Sequence, residues 1–298
     1  MKKRIEQPSD IFHEVIKDMT SKYGKPPELP IDFLPYLNNR IWGMRKKELV
    51  VVGGRTSMGK SVLMLQLAHS FAKQQKKTVF ISLEMTIESC IQRLMNDYCS
   101  INNWVNVAGM SPEAYEKNKE SLVSFYNHLK AIPLLFMEGH GKTFGDLFET
   151  LEDLDTDVDA VFIDYIQMIK STGMTDKQAI DEYIKKLRNY AIEKNFCAVI
   201  GSQINRGTYD SSKITYPEIW QLKGSGALEE IMDLCFLVHY QHHYTKEDTD
   251  KNEFWLSVAK NRGGRTGNFN CTFEPEFGRI SQKEKDDSGT QNPSYFND

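Results

Sequence analysis

The sequence predicts an α/β fold: a mainly parallel sheet covered by helices on both faces, with an antiparallel C-terminal extension. Two observations lead to this prediction. Short apolar runs alternate with amphipathic segments from about residue 49 to residue 203, which is typical of parallel strands buried on both faces. After residue 230 the apolar runs follow one another with only turns between them. This change of order indicates strands that pair antiparallel at one edge of the sheet.

A glycine-rich segment directly after the first predicted strand carries the clearest functional pattern. It fits G-x-x-x-x-G-K-[ST], the phosphate-binding loop, and reads Gly54-Arg55-Thr56-Ser57-Met58-Gly59-Lys60-Ser61. Gly54 and Gly59 permit tight turns whose backbone N–H groups converge on phosphate oxygens. Lys60 can reach the β- and γ-phosphates, and the Ser61 hydroxyl can bind Mg²⁺. Because a strand precedes the loop and a helix follows it, we predict nucleoside triphosphate binding rather than a chance glycine-rich turn.

Composition narrows the class of protein. The 298 residues are 40% hydrophobic and 26% charged, which suits a soluble globular protein with a substantial core. No run approaches the roughly 18 apolar residues of a membrane span. The five cysteines lack C-x-x-C spacing, so reduced structural thiols in a cytoplasmic protein are expected. A net charge of -4 does not indicate nucleic-acid binding, but it allows a narrow basic channel.

Each element is predicted by its own local pattern. An amphipathic helix begins at Ser9 or Asp10 and ends before Gly24. Further helices are predicted over residues 62–72, 87–99, 111–130, 143–154 and 177–195. Strands are predicted over residues 49–52, 78–83, 133–137, 160–164, 197–203, 233–240, 254–260 and 268–273, with a short one near Arg279.

Three units follow from these elements. Residues 1–27 form a separate N-terminal helix behind a proline-rich connector, residues 28–282 the main domain, and residues 283–298 a disordered tail. The apolar stripe of the helix, at Ile11, Val15 and Met19, packs either on its own domain or on a neighbouring subunit. Residues 205–227 form one long polar segment, which is usually functional or disordered in a compact domain.

Polar residues end three of the predicted strands. Because ligands of parallel sheets bind beyond the carboxyl ends of the strands, Glu84, Asp164 and Gln203 are expected beside the phosphate-binding loop. Asp164 can hold Mg²⁺ through water. Glu84 can orient an attacking water and accept its proton. Gln203 can sense the γ-phosphate. Each residue alone could be an ordinary polar residue at the end of a strand, but together the three residues predict an NTPase.

The motifs resemble those of DnaB-type replicative helicases, in the same order along the chain. Besides the phosphate-binding loop, they are Ser82-Leu83-Glu84-Met85, Ile163-Asp164-Tyr165-Ile166-Gln167, Ser202-Gln203-Ile204-Asn205-Arg206, Gly224-Ser225-Gly226 and Lys260-Asn261-Arg262-Gly263-Gly264. The resemblance covers roughly residues 10–280 and implies a RecA-like P-loop NTPase fold. It implies a hexameric ring that hydrolyses ATP with Mg²⁺ and moves on single-stranded DNA.

The resemblance also implies site roles. Lys60 and Ser61 bind phosphate and Mg²⁺, Glu84 is the catalytic base, Asp164 the metal-site carboxylate and Gln203 the γ-phosphate sensor. Lys260 and Arg262 match the basic pair that enters the neighbour's nucleotide site. A solvated basic turn is the alternative for that pair.

The resemblance has two departures. The family carries a separate N-terminal collar that engages primase, whereas about fifty residues precede the loop here. We therefore expect a compact, viral-type form in a host cytoplasm; a primase and a helicase loader are the partners that the family implies. Where relatives have Arg-Glu-Ser-Gly facing DNA, this chain has Lys223-Gly224-Ser225-Gly226. DNA contacts are predicted at Arg206, Lys213, Lys223, Gly224 and Gly226.

Other functions and features remain open at this point. A recombinase or circadian-type ATPase on the same fold would assemble without unwinding, and an ATP-gated loader or scaffold would not be a motor. The histidines His239, His242 and His243 are interpreted as a turn rather than a zinc site. Tyr209, Tyr216 and Trp220 could stack on bases, although aromatic packing under a loop is more common.

Overall fold

The computed structural model describes residues 8–101, 111–153, 157–169, 175–204, 216–223, 225–245 and 250–283. Nine strands join in a single sheet. They are β1 (Leu49–Gly54), β2 (Thr78–Ser82), β3 (Leu134–Glu138), β4 (Ala160–Asp164), β5 (Cys197–Gln203), β6 (Leu234–His239), β7 (Glu253–Asn261), β8 (Gly267–Glu274) and β9 (Arg279–Gln282).

The strand order is β3-β2-β4-β5-β1-β6-β7-β8-β9. The first six strands along the chain pair parallel, and β7, β8 and β9 add antiparallel at one edge. This confirms the predicted fold class and the change of pairing after β6. Because β1 lies between β5 and β6, the loop after β1 emerges at the centre of the carboxyl edge.

Nine helices lie within the described ranges given above. They are α1 (Pro8–Lys22), α2 (Pro35–Ile41), α3 (Lys60–Lys73), α4 (Ile87–Cys99), α5 (Pro112–Ala131), α6 (Phe144–Glu152), α7 (Asp176–Lys194), α8 (Ser225–Ile231) and α9 (His242–Thr245). The predicted starts of α5 and α6 are confirmed. The Ser111 side chain accepts a hydrogen bond from the Ala114 N–H, and Thr143 forms a capping box with Asp146.

Two apolar cores cover the two faces of the sheet. Alternate residues of β1 enter different cores: Val50 and Val52 pack with α3, whereas Leu49 and Val51 pack on the side of α6 and α7. This alternation follows from the two-residue period of a strand. Since both faces are buried, the parallel strands are apolar throughout, as the sequence predicts.

The prediction of one long polar segment over residues 205–227 is wrong at the C-terminal end of that range. Residues 205–215 and 224 lie outside the described residues, but Ile219–Gln221 forms a 3₁₀ turn and α8 begins at Ser225. Leu222 is buried and forms an antiparallel bridge with Ile204. The long loop is therefore divided, because an apolar residue within it is anchored to the end of β5. The tail over 284–298 lies outside the described residues.

The apolar stripe of α1 faces solvent in the single chain. Ile11, Val15 and Met19 are 44%, 47% and 63% exposed. Of the two alternatives for this stripe, packing on its own domain is wrong for the isolated chain. The proline-containing connector after Gly24 separates α1 from the sheet, and the other described residues leave the stripe uncovered. No described helix is both long and apolar enough to cross a membrane.

Candidate nucleotide site

The loop between β1 and α3 has the geometry of a phosphate cradle. Gly59 precedes the first residue of α3 with φ +82°, and a Cβ placed there would lie 2.8 Å from the Phe254 ring. Only glycine satisfies both the left-handed backbone and the close approach. The α3 N-terminus, with its unpaired N–H groups, begins at Lys60 and opens towards this loop.

Lys60 is buried between two groups from the end of β4. Its Nζ lies 3.5 Å from Asp164 Oδ1 and 4.3 Å from the centroid of the Tyr165 ring. The lysine is 8% exposed and Asp164 2%. In the isolated chain the ammonium group therefore compensates the charge of the strand-end carboxylate.

Asp164 has a hydrogen-bonding capacity that the described residues do not use. Its Oδ1 is buried and accepts no hydrogen bond from them. Gly201 on the neighbouring strand β5 makes room for it, because a Cβ there would lie 2.8 Å from that oxygen. A buried carboxylate oxygen with space beside it is a suitable partner for a hydrated cation.

Glu84 also lines this cavity and lies on a tight turn after β2. The Ser82 hydroxyl donates to the Met85 carbonyl (2.6 Å) and accepts from the Met85 N–H (3.2 Å). This turn presents the exposed Glu84 side chain to the cavity. Burial, followed by the charges of Glu84 and Asp164, raises the pKa of Tyr165 above its usual value. The Tyr165 hydroxyl therefore stays protonated at neutral pH.

Gln203 connects β5 to the phosphate-binding loop. Its Nε2 donates to the Thr56 hydroxyl at 2.7 Å. The register explains this contact, because Gly54 of β1 pairs with Gln203 of β5. The strand ends predicted to meet at the carboxyl edge therefore do so: Lys60, Glu84, Asp164 and Gln203 surround one cavity or contact its lining.

The cavity is large enough for a nucleotide. Its volume is about 720 Å³, within the roughly 300–1,000 Å³ of ligand sites. Its lining includes the phosphate-binding loop with Ser61 and Glu84, and also Arg93, Asn96 and the β8–β9 turn at Phe277. An ion pair between Arg279 Nε and Asp97 Oδ1 at 2.6 Å joins α4, which carries Arg93 and Asn96, to β9 after this turn.

Lys260 and Arg262 lie at the amino ends of the parallel strands, on the side of the sheet opposite the phosphate-binding loop. Asn261, between them, pairs with Leu234 at the amino end of β6, which runs parallel to β1. Lys260 Nζ donates to the Glu229 carbonyl and an Arg262 Nη to the Glu230 carbonyl. Burial lowers the pKa of Lys260, and Arg262 lowers it further. The basic pair is therefore remote from the phosphate-binding loop of its own chain.

Asp233 organises this remote edge, a role that sequence reasoning missed. It forms ion pairs with Arg188 and, at 3.5 Å, with Arg262, and it accepts the Leu49 N–H at 2.8 Å. The sequence places Asp233 at a strand start, and the structure places it just before β6. Its local pattern carries no signal for this role, since its partners come from three distant segments.

The predicted DNA residues are only partly within the described chain. Arg206, Lys213, Gly224 and Tyr209 lie outside it. Lys223 is exposed, and its N–H donates to the Gln203 carbonyl at 2.9 Å. Gly226 lies in α8 with open space around its Cβ position. Lys223 is thus attached directly to the strand end that contacts the phosphate-binding loop.

The aromatic and histidine features have structural partners. Tyr216 stacks on Trp255 with ring centroids 4.6 Å apart, while Trp220 is 62% exposed. His239 is buried against Gln241 at 2.6 Å, and His242 begins α9 rather than a turn. Within the described ranges, no group of three or more His, Cys, Asp or Glu residues could hold a metal ion.

The fold and the loop together define a P-loop nucleotide-binding protein with a RecA-like sheet. The sequence matches the model of the DnaB-like helicase C terminal domain over residues 32–282. The chain belongs to that family, which confirms the resemblance.

The sequences of similar proteins support this family assignment. The chain is 23% identical over 286 residues to the replicative DNA helicase DnaC of Bacillus subtilis (strain 168), covering 93% of this chain and 62% of the relative. It is 22% identical over 281 residues to DnaB of Geobacillus stearothermophilus, covering 92% and 60%. The chain thus spans about three fifths of the length of these relatives.

Solved structures share the fold. One of them, described as an ATPase domain, has a TM-score of 0.81 at 21% identity, and the match covers 94% of this chain and 100% of that chain. A DnaB-like replicative helicase, described with its interactions with primase, has the same TM-score and identity and covers 94% and 68%.

Proposed function

We propose that this chain is the ATP-hydrolysing motor of a replicative DNA helicase, which moves on single-stranded DNA as a hexameric ring. The observation that carries the proposal is the convergence of Lys60, Glu84, Asp164 and Gln203 around one nucleotide-sized cavity. The family supports the same conclusion. The motor corresponds to residues 28–282, with residues 1–27 as an assembly segment and 283–298 as a tail.

The residues present fit ATP and Mg²⁺. The cradle over Gly54–Ser61 offers N–H groups and Lys60 to the phosphates, with Arg55, Thr56, Ser57 and Met58 forming its turn. The Ser61 hydroxyl and the buried Asp164 Oδ1 offer the oxygen ligands that Mg²⁺ prefers. When bound, Mg²⁺ neutralises the charge that develops on the phosphates.

Three side chains of this chain have separate roles in ATP hydrolysis. Lys60 leaves its contact with Asp164 to neutralise the phosphates. Glu84, exposed at the cavity, orients the attacking water and accepts its proton. Gln203 reports the γ-phosphate through the neighbouring Thr56 hydroxyl.

The position of Lys260 and Arg262 supports assembly into a ring. They are too remote to serve their own phosphate-binding loop, yet Arg262 is about half exposed at the surface. A guanidinium offered to a neighbour's transition state makes hydrolysis depend on assembly. The exposed stripe of α1 supplies an apolar surface for the same assembly.

A loop after Gln203 in each subunit would line the central channel. Lys223 is the exposed cation of the described part of this segment, and Arg206, Lys213, Gly224 and Gly226 complete the proposed DNA contact. Phosphate contacts carry no base information, so binding is sequence-tolerant. A primase and a loader are the proposed protein partners. The free cysteines suit the reducing environment of a cytoplasm.

Strand displacement on a forked duplex with ATP and Mg²⁺ tests the proposal. We expect unwinding by the wild type and none by Lys60→Ala. ATP hydrolysis stimulated by DNA without displacement would instead identify a recombinase-like or circadian-type ATPase. Hydrolysis that ignores DNA would identify a loader or scaffold.

Mixing subunits tests the trans role of the basic pair. A subunit with Arg262→Ala retains an intact phosphate-binding loop but lacks the arginine. A subunit with Lys60→Ala has a defective loop but retains Arg262. We expect a mixture of the two inactive variants to hydrolyse ATP faster than the sum of the separate proteins, because mixed interfaces contain one complete site. A purely additive rate would show that Arg262 acts within its own chain.

A further inference from the structure

Gln167 lies at the junction between the nucleotide site and the segment that carries Lys223. It belongs to the 3₁₀ turn Ile166–Met168 that follows β4. Its Nε2 donates to the Ser202 hydroxyl at 2.9 Å and to the Lys223 carbonyl at 3.3 Å. Its Oε1 accepts the Gln203 N–H at 3.3 Å. One side chain thus joins the ends of β4 and β5 to residue 223.

The partners determine the orientation of this amide. The backbone N–H of Gln203 can only donate, so it requires the Gln167 oxygen. The Lys223 carbonyl can only accept, so it requires the Gln167 nitrogen. Both requirements are met by the same rotamer. Three bonds to three backbone or side-chain groups therefore hold Gln167 in a single orientation.

The contacts continue to the phosphates on one side. Gln203, whose N–H binds Gln167, donates its own Nε2 to Thr56 of the phosphate-binding loop. On the other side, the Lys223 N–H binds the Gln203 carbonyl while the Lys223 carbonyl binds Gln167. Movement of Gln203 therefore changes both polar contacts of the Lys223 backbone.

We propose that Gln167 is a positioning residue that makes the placement of Lys223, and hence the affinity for single-stranded DNA, depend on the bound nucleotide. This inference rests on the proposed function and adds to it a residue that does not line the nucleotide cavity and is not one of the proposed DNA contacts. When Gln203 moves with the γ-phosphate, Gln167 transmits the movement to the Lys223 carbonyl. Among the described residues, the backbone contacts that would remain near Lys223 without Gln167 are its own N–H bond to Gln203 and the Ile204–Leu222 bridge.

Two variants separate the contacts of Gln167. Gln167→Glu keeps an acceptor for the Gln203 N–H, and the Ser202 hydroxyl can rotate to donate to the new carboxylate. The contact with the Lys223 carbonyl is lost, because two oxygens that can only accept would then face each other. Gln167→Leu removes all three bonds at similar volume. Gln178→Glu is the matched control, since a glutamate at the third position of α7 preserves its capping box.

The measurement is the affinity for a labelled oligothymidine with a non-hydrolysable ATP analogue and, separately, with ADP. For the wild type we expect the two affinities to differ by about 5- to 150-fold, the usual range of coupling between sites. In Gln167→Glu and Gln167→Leu this ratio should fall towards 1, while Gln178→Glu keeps the wild-type ratio. A loss of stability alone would not remove the ratio in the folded fraction.

The failures can be told apart. An unchanged ratio in both Gln167 variants overturns the inference and leaves the proposed function intact. A wild type that does not bind DNA overturns the proposed function and the inference together, and the wild type alone reveals it. A wild type that binds DNA with a ratio of 1 overturns only the inference.

A second measurement needs no substitution. Amide hydrogen exchange of residues 216–223 in the wild type should change when the ATP analogue replaces ADP, because the Lys223 N–H is bonded to the Gln203 carbonyl. Exchange that is identical with both nucleotides would overturn the inference, even if the Gln167 variants fail to fold.

Discussion

Lys60 Nζ lies 3.5 Å from Asp164 Oδ1, and both residues are almost fully buried. In the isolated chain, Lys60 thus balances the carboxylate that we propose as a partner for hydrated Mg²⁺. We expect that Lys60 would turn from Asp164 towards the phosphates when a nucleotide binds, and that Mg²⁺ would then balance the carboxylate. The pair joins the first turn of α3 to the end of β4, so it has a structural consequence even without ATP.

The first prediction concerns this pair. Lys60→Ala should lower the free energy of unfolding without nucleotide by up to about 3–5 kcal/mol, because it leaves a buried carboxylate unpaired. Adding Asp164→Asn should recover most of the loss. Urea unfolding of both single variants and the double variant measures the coupling.

Lys73 supplies a control for that cycle, since its pair with Asp32 is more than a third exposed. Lys73→Ala should cost less than about 1 kcal/mol. Additive losses in the Lys60 and Asp164 cycle would show that the two charges do not interact.

The second prediction concerns the proposed base. Glu84→Gln should bind ATP as the wild type does and lose roughly 10²–10⁴-fold in turnover, because an amide cannot accept the proton of the attacking water. Steady-state hydrolysis and binding of a fluorescent ATP analogue measure the two effects. Glu88→Gln, also exposed but at the start of α4, is the control. Near-normal turnover in Glu84→Gln would assign the base to another residue.

The third prediction concerns assembly. Deleting residues 1–24, or changing Ile11, Val15 and Met19 to serine, should reduce rings to smaller species. These side chains are exposed in the single chain, and an assembled ring would bury them. Light scattering measures the size, and circular dichroism checks that the sheet remains folded. Serine at Glu14 and Lys17, on the same helix, is the control. Rings that survive both changes would exclude α1 from assembly.

The fourth prediction concerns DNA. Lys223→Ala should reduce affinity for single-stranded DNA, lower the slope of its salt dependence by about one phosphate contact and abolish DNA stimulation of hydrolysis. Binding to a labelled oligothymidine across a salt series measures affinity and slope. An exposed lysine on the first turns of α5, Lys119, is the control. An unchanged slope in Lys223→Ala would assign the DNA contact to other residues.

The fifth prediction concerns pH. His69 Nε2 lies 2.7 Å from His128 Nε2, a contact that needs one ring to donate and the other to accept. Burial, followed by Lys73 and His128, lowers the pKa of His69 from 6.5 to about 4. The unfolded chain binds this proton at a higher pH than the folded chain does. The free energy of unfolding should therefore keep its full value above about pH 6.5 and fall as the pH drops towards 4. The loss should approach about 3 kcal/mol.

Urea unfolding at pH 7.5 and pH 4.5 checks this dependence. His69→Gln should be less stable at neutral pH but show a smaller change between the two pH values. His13→Gln, on the exposed helix α1, should keep the wild-type change. Equal changes in the wild type and His69→Gln would show that another group carries the acid sensitivity.

Local patterns in the sequence determined the elements and the kind of site. Gly54 to Ser61 is contiguous, so the residues that shape the phosphate cradle and the start of α3 predict it without knowledge of the rest of the chain. The apolar strands ending in Glu84, Asp164 and Gln203 predicted a shared edge, because parallel strands end on the same side of a sheet. The caps of α5 and α6 were likewise predictable, since each needs only three or four neighbouring residues.

Only the tertiary structure decided which distant residues meet. The strand order sets β5 beside β1 and so brings Gln203 to Thr56, and it gives Gln167 its partners from β5 and residue 223. The pairing of β7 with β6 carries Lys260 and Arg262 to the amino edge, where Asp233 and Arg188 meet them. The burial of Leu222 divides a segment that is polar in sequence. These contacts join residues from different segments, and no pattern along the chain encodes a contact that depends on the order of strands in space.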